Sequence, residues 1–196
     1  MIQDPKLSTL PDNNHILRVL SYPNIFKPEE CEEIINMKGI NIEIPVYFES
    51  QEDYDKTNIA EYPIAKDLLQ NRITVGWISK KLEKVLMHAN DKFFHFEIYG
   101  INVIRLNKYD VGRSFNWHTD IGNRELSIRK LTLVVFLSKK EDYTGGELQW
   151  WGVDDKINQE QGSIVVFPSY MMHYVPPITS GVRYSLACWA VGPHFK

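Results

Sequence analysis

The chain has 196 residues, of which 43% are hydrophobic and 12% aromatic, with a formal net charge of −3. That length and apolar content specify one globular domain with a sizeable core and exclude a disordered chain. The small acidic excess gives no electrostatic drive toward nucleic acid, and no apolar stretch, Leu131–Leu137 included, approaches the ~20 residues of a membrane span.

Residues 1–14 are polar, hold Pro5 and Pro11, lack a basic-then-apolar signal pattern, and read as a loose arm. Residues 15–196 read as one domain. Ile16–Leu20 is a short strand by pattern. Pro28–Met37 reads as a helix, with proline in its first turn and acids at its positive end. Asn41–Phe48 looks extended, and the polar stretch Gln51–Asn58 reads as a surface loop that could act as a lid. Residues 66–88 space their apolar side chains by three and four, which predicts one long amphipathic helix strained at Gly76.

Beyond Asn90 the period changes. Phe94, Phe96 and Ile98 alternate, and Ile101, Val103 and Ile104 follow Gly100. Leu131–Leu137 is apolar but for Thr132, as expected of a strand buried on both faces. Gly145-Gly146 makes a turn, and Ser163–Phe167 and Val182–Val191 are further strands. Helices first and short strands afterwards predict an α+β fold, mainly β: a double-sheet barrel or jelly roll with supporting N-terminal helices. Cys31 and Cys188 are the only cysteines. They are too few for a disulfide scaffold and point to a reducing cytoplasmic setting.

Three features carry chemistry. In His118-Thr119-Asp120, residues i and i+2 of a strand would share a face about 6.6 Å apart and could bite one metal ion. His173 follows a strand that ends at Phe167-Pro168. Arg183 enters an apolar strand, where a guanidinium is costly without an anionic partner. Two histidines and a carboxylate are the facial triad of non-haem iron(II) oxygenases, which leaves open positions on the metal. The 1-carboxylate and 2-keto oxygens of 2-oxoglutarate, and then dioxygen, suit those positions. Arg183 suits the far carboxylate through two hydrogen bonds.

From Tyr109 to Pro193 the chain resembles the prolyl 4-hydroxylase-like family of iron(II)/2-oxoglutarate dioxygenases. The matching stretches are Tyr109-Asp110-Val111-Gly112, His118-Thr119-Asp120 and Tyr143-Thr144-Gly145-Gly146-Glu147-Leu148. They continue in Phe167-Pro168-Ser169, His173 and Gly181-Val182-Arg183-Tyr184-Ser185-Leu186, with Trp189 closing the domain. Asn24–Met37 looks like the family's opening helix. The resemblance implies a double-stranded β-helix that uses Fe(II), 2-oxoglutarate and O2, with ascorbate as reductant. It implies His118, Asp120 and His173 as iron ligands, Arg183 on the 2-oxoglutarate 5-carboxylate, and Tyr109 as a lining hydrogen-bonding residue. Trp189 backs the pocket or packs as a core aromatic.

The pattern departs from animal oxygen-sensing prolyl hydroxylases at Phe136, where they carry a tyrosine, and at Ala187, where they carry a threonine. Thr132 or Tyr109 would then assist Arg183. Arg129 aligns with an arginine at their substrate groove. The implied partner is a proline-containing peptide or protein, with no nucleic acid and no membrane, and with the chain a monomer or weak dimer. The family's compact members occur in phages and bacteria, so the expected location is the cytoplasm, the host's if phage-encoded. The alternatives are a free amino acid hydroxylase, a nucleic-acid demethylase, or an inactive jelly-roll binding module. A demethylase of the AlkB type needs a second arginine where Trp189 stands.

Overall fold

The computed structural model describes residues 18–37, 76–153 and 157–195, with the backbone of 6–7 and 64–67. The chain begins with β1 (Lys6–Leu7), β2 (Leu20–Tyr22), α1 (Pro28–Ile35), β3 (Ile64–Asp67) and α2 (Gly76–Ala89). It continues with β4 (Gly100–Tyr109), β5 (Phe115–His118), β6 (Arg129–Phe136), β7 (Tyr143–Gly145) and β8 (Gln149–Trp150). It ends with β9 (Ile164–Pro168), β10 (His173–Val175), β11 (Ile178–Gly181) and β12 (Arg183–Val191). One antiparallel sheet has the order β1-β2-β9-β6-β12-β4-β3; β5-β10-β8 and β11-β7 form two smaller sheets. This is the mainly β jelly-roll architecture that the sequence pattern predicts.

Period-two alternation sorts the side chains of the large sheet into two layers. Leu131, Leu133 and Val135 of β6, Leu186, Cys188 and Ala190 of β12, and Ile104 and Leu106 of β4 share one cluster with Ile34, Ile78, Leu82, Val85 and Leu86 of the helices. Their neighbours along the same strands face the small sheets. Val134, Phe136 and Phe167 meet Trp150, Val175 and Ile178 there. A strand covered on both faces is mainly apolar, and β6 is buried at every position, with Arg129, Lys130 and Thr132 as its polar members. The helical layer is also tied by charge: Glu30 of α1 accepts the Lys27 backbone N–H and a Lys81 ammonium hydrogen bond from α2, 2.7 Å each.

Three expectations change. The strand expected at Ile16–Leu20 is β2, which pairing with β9 places at Leu20–Tyr22, overlapping the expectation at one residue. Of the helix expected over residues 66–88, residues 66–67 belong to a strand, Ile64–Asp67, on the β4 edge, residues 68–75 lie outside the described residues, and Gly76–Ala89 is helical. Spacing in a short apolar window fits either form, and the unpaired β4 edge supplied hydrogen-bond partners that a helix cannot use. Gly76 is the first described residue of this helix, with open space around it. Of the arm 1–14, Lys6–Leu7 pair with β2; its other residues, like Asn41–Phe48 and Gln51–Asn58, lie outside the described residues.

Gly181 ends β11 and leads into Arg183. Its φ is +73°, and a Cβ there would stand 1.9 Å from the Asp142 carbonyl oxygen. We expect Gly181→Ala to cost about 2 kcal/mol or more through strain and displaced backbone. Calorimetry should show Tm lower by roughly 4–8 °C in a chain of this size. An unchanged Tm would show that the turn relaxes freely.

Candidate metal centre

His118 and His173 are direct cross-strand partners, at the end of β5 and the start of β10. Their ring centroids are 4.1 Å apart. Each ring's Nδ1 lies on a main-chain carbonyl two residues back: Asn116 at 2.7 Å and Met171 at 2.9 Å. A carbonyl only accepts, so Nδ1 carries the proton in both rings. Each Nε2 then presents its lone pair inward. Both point at Asp120, with His118 Nε2 3.7 Å from Oδ1 and His173 Nε2 3.5 Å from Oδ2. The candidate ligand atoms of these three residues all lie within 4.8 Å of one another.

Asp120 is not on the strand. β5 stops at His118, and Asp120 sits in the following bend. The i, i+2 strand geometry expected from sequence therefore does not place it. Its backbone N–H donates to the Ser169 carbonyl at 2.8 Å. The Thr132 hydroxyl donates to its Oδ2 at 2.7 Å and lies 3.0 Å from the Ser169 hydroxyl. Asp120 is 2% exposed. Burial pushes its carboxyl pKa up, but His173, His118 and Arg129 together with the Thr132 hydrogen bond outweigh that and hold it below the usual value. Burial and then the neighbouring His173 lower His118 to about 4, against the opposing pull of Asp120. One anionic carboxylate and imidazole lone pairs facing each other are what a divalent transition metal needs, and this donor set fits iron(II).

The pocket beside the triad is lined in rows across β6, β12 and β4. Thr132 pairs with Trp189, Val134 with Ala187 and Arg105, Ser185 with Asn107, and Arg183 with Tyr109. Arg183 is 1% exposed, the largest side chain buried to that degree. Its guanidinium carbon lies 5.0 Å from the Tyr109 ring centre and 5.7 Å from that of Phe136. Nη1 reaches Ser185 Oγ at 3.4 Å, while Nε and Nη2 have no hydrogen-bond partner among the described residues. A buried cation with two N–H groups unmet is shaped for a carboxylate. Burial raises the Tyr109 pKa, against the lowering effect of Arg183, so its hydroxyl stays protonated and able to donate.

The sequence-predicted residues divide by place. His118, Asp120, His173, Arg183 and Tyr109 share the pocket. Thr132 lines it too, but its hydroxyl serves Asp120 and stands at the far end from Arg183, so Tyr109 is the residue beside the guanidinium. Arg129 is buried behind the site: Nη1 donates to the Asp120 carbonyl at 3.3 Å, and the guanidinium covers one ring face of Trp189 at 3.9 Å. Trp189 lines the pocket. Trp150 packs edge-on against Phe167, whereas Trp151 is exposed and meets Trp117. Arg105, Asn107 and Ser185 also line the pocket, and sequence analysis passed over them. Counting back by two from Tyr109 would have found the first two.

Residues 104–191 match the family model of the 2OG-Fe(II) oxygenase superfamily. A PKHD-type hydroxylase of a Synechococcus strain is 28% identical over 120 residues, 56% of this chain and 54% of that one. One from Methylobacillus flagellatus is 36% identical over 92 residues, 42% and 40% of the two chains. This chain thus spans about half the length of such relatives. The fold is similar to a viral collagen prolyl hydroxylase from Paramecium bursaria Chlorella virus-1 with 2OG, at TM-score 0.65 and 16% identity, covering 89% and 96% of the two chains. It is also similar to a Pseudomonas putida prolyl-4-hydroxylase, at TM-score 0.63 and 14% identity over 89% and 92%.

Two outcomes follow from the centre's hydrogen bonds and burial. Removing Thr132's hydroxyl frees the Asp120 carboxylate to rotate, so Thr132→Val should weaken Mn(II) or Fe(II) affinity about tenfold, within the range for such supporting bonds. His173→Ala should lose more. Titration calorimetry without oxygen reads both, and equal affinity in all three proteins would remove the triad from metal binding. The metal-free protein should also respond to acid through His118. An unfolded histidine takes its proton near 6.5, but the folded ring resists until about 4. The unfolded state therefore binds more protons in that window, and stability falls as pH drops through it. Tm of the wild type minus that of His118→Gln should decline from pH 7 to pH 4; a flat difference would contradict the shifted ring.

Proposed function

We propose, the chain being a prolyl 4-hydroxylase-like member of the 2OG-Fe(II) oxygenase superfamily, that it hydroxylates a prolyl residue in a peptide or protein and releases succinate and carbon dioxide from 2-oxoglutarate. The observation that carries this reading is Arg183: a buried guanidinium with Nε and Nη2 unmet, in the same pocket as the His118, Asp120 and His173 cluster. A metal site alone would suit many activities. A metal site that shares a pocket with an unmet cation suits a co-substrate that chelates with one end and carries a carboxylate at the other.

When bound, iron(II) and 2-oxoglutarate with dioxygen supply the oxidising chemistry, and the protein supplies orientation and a pocket. His118, Asp120 and His173 hold the metal. Thr132 and the Ser169 carbonyl hold Asp120, and the two main-chain carbonyls hold the rings. Arg183 receives the distal carboxylate, with Tyr109 donating beside it and Ser185 steadying Nη1. Phe136, which has no hydroxyl, contributes a ring face beneath the guanidinium. The apolar lining of Phe115, Val134, Leu148 and Val175 keeps water out.

The prolyl part rests on the similarity to prolyl hydroxylase folds, and one fold hosts many substrates. In the setting we propose, ascorbate maintains the iron and the protein works in the cytoplasm as a monomer or weak dimer. Cys31 and Cys188, both buried and unbridged, agree with a reducing compartment.

The test combines product and co-substrate. Incubation with iron(II), 2-oxoglutarate, ascorbate and proline-containing peptides should give succinate with +16 Da on proline. In Arg183→Ala, one side of a buried charge pair is lost, a cost of about 3–5 kcal/mol. The KM for 2-oxoglutarate should rise by about two orders of magnitude or more. An unchanged KM would remove Arg183 from this role, and succinate without any oxidised proline would remove the prolyl assignment.

A further inference from the structure

Strand β6 is irregular at one place along β12, and that place stands beside the metal centre. Leu131 pairs with Ala190 of β12, and the next pair joins Arg129 to Val191, so Lys130 is an extra residue on β6. We propose, resting on the metal reading of the triad, that this bulge makes Arg129 a positioning residue of the metal centre: it clamps the bend that carries Asp120 and thereby sets how tightly the site holds a divalent metal.

Alternation along the strand shows what the bulge does. Leu131, Leu133 and Val135 face the helical layer. A regular strand would send Arg129, two residues before Leu131, the same way, and its charge would then lie among apolar side chains. An extra residue reverses the sense beyond it, and bulges beside active sites re-aim side chains in this manner. Val191 follows Ala190, which belongs to the helical layer, so Val191 and its partner Arg129 fall on the pocket side of the sheet. The guanidinium accordingly lies on the Trp189 ring, 3.9 Å from its centre, and Nη1 donates to the Asp120 carbonyl at 3.3 Å.

The same corner of β6 holds Asp120 by both of its main-chain groups. The Asp120 N–H donates to the Ser169 carbonyl at 2.8 Å, and the Ser169 N–H donates to the Lys130 carbonyl at 3.0 Å. The Asp120 carbonyl accepts from Arg129. Thr132, further along β6, donates to the carboxylate. Thr132 thus limits rotation of the carboxylate, and Arg129 limits movement of the backbone from which it hangs. This matters because Asp120 is the one member of the triad that no strand carries. Stacking on the indole fixes the plane of the guanidinium and lowers the ordering cost of its hydrogen bond. Arg129 is 4% exposed and is not among the residues that line the pocket, so contact with a substrate does not account for it.

The experiment uses the whole chain as wild type, Arg129→Gln, Arg129→Lys and His173→Ala, all without oxygen. Mn(II) alone is titrated by calorimetry, and the paramagnetic resonance spectrum of the bound Mn(II) is recorded. 2-Oxoglutarate is then titrated into the Mn(II)-saturated protein. Arg129→Gln should bind Mn(II) about tenfold more weakly, within the range for residues that support a ligand, and with a changed Mn(II) spectrum. Arg129→Lys keeps the charge but not the planar fork, and should fall between, about threefold weaker than the wild type. Once Mn(II) is saturating, both should bind 2-oxoglutarate within about twofold of the wild type, because Arg183 lies outside the altered contacts. Mn(II) affinity and spectrum equal to those of the wild type in the variants overturn the proposal. So does a loss of 2-oxoglutarate affinity in step with Mn(II), which would make Arg129 a general packing residue. If Arg129→Gln shows no cooperative unfolding transition, Arg129→Lys is judged alone by the same readings. A wild type that holds Mn(II) no better than His173→Ala overturns the metal reading, and this proposal with it.

Discussion

Strand β12 is covered on both faces, so each of its side chains must satisfy one of two environments. Leu186, Cys188 and Ala190 meet the helical layer. Arg183, Ser185, Ala187 and Trp189 meet the pocket. The same alternation on β6 and β4 extends those environments across the sheet, so a stabilising apolar layer and a polar-bearing wall are two sides of the same strands. A one-residue slip of register would turn Arg183 into the helical layer and Leu186 into the pocket. Both are costly: the first strands a charge in an apolar cluster, and the second removes packing. The fold's register and the pocket's chemistry are therefore held by the same free energy.

The metal centre hangs between that wall and the small sheets. Pairing of β5 with β10 brings the two imidazoles opposite each other, and carbonyls from their own loops set which nitrogen faces inward. The carboxylate arrives by a different route, from a bend fastened to Ser169 and Thr132. Three separate segments must be in place before the ligands converge. The candidate ligands are thereby desolvated and brought together in advance, an arrangement that a divalent cation would relieve.

Legibility in the sequence followed the range of the interaction. The apolar run of β6, the Pro28 helix start and the glycine turns express local preferences, and the structure shows them close to where the pattern puts them. The segment Ile64–Asp67 misled because its pairing partner, β4, lies some forty residues away in the chain. His118 and Asp120 were legible as a pair although the expected reason, a shared strand face, is not the one that operates. Thr132 was named as a possible helper of Arg183, and its actual partner, Asp120, could not be known, because the bend that carries Asp120 is fastened through Ser169, far along the chain.

Alternation, burial and residue chemistry, all present along the chain, were sufficient for a mainly β fold, a His-Asp-His cluster and a buried arginine in need of an anion. Those properties depend on neighbours in sequence and on the cost of burying charge, which each residue type carries with it. The direction in which Arg183 turns, the placement of Arg129 behind Asp120, and the choice of Tyr109 over Thr132 beside the guanidinium depend on cross-strand register. Register is a sum over many distant pairings, and no single segment holds it. Only the folded sheet sets it, because only there do those pairings exist together.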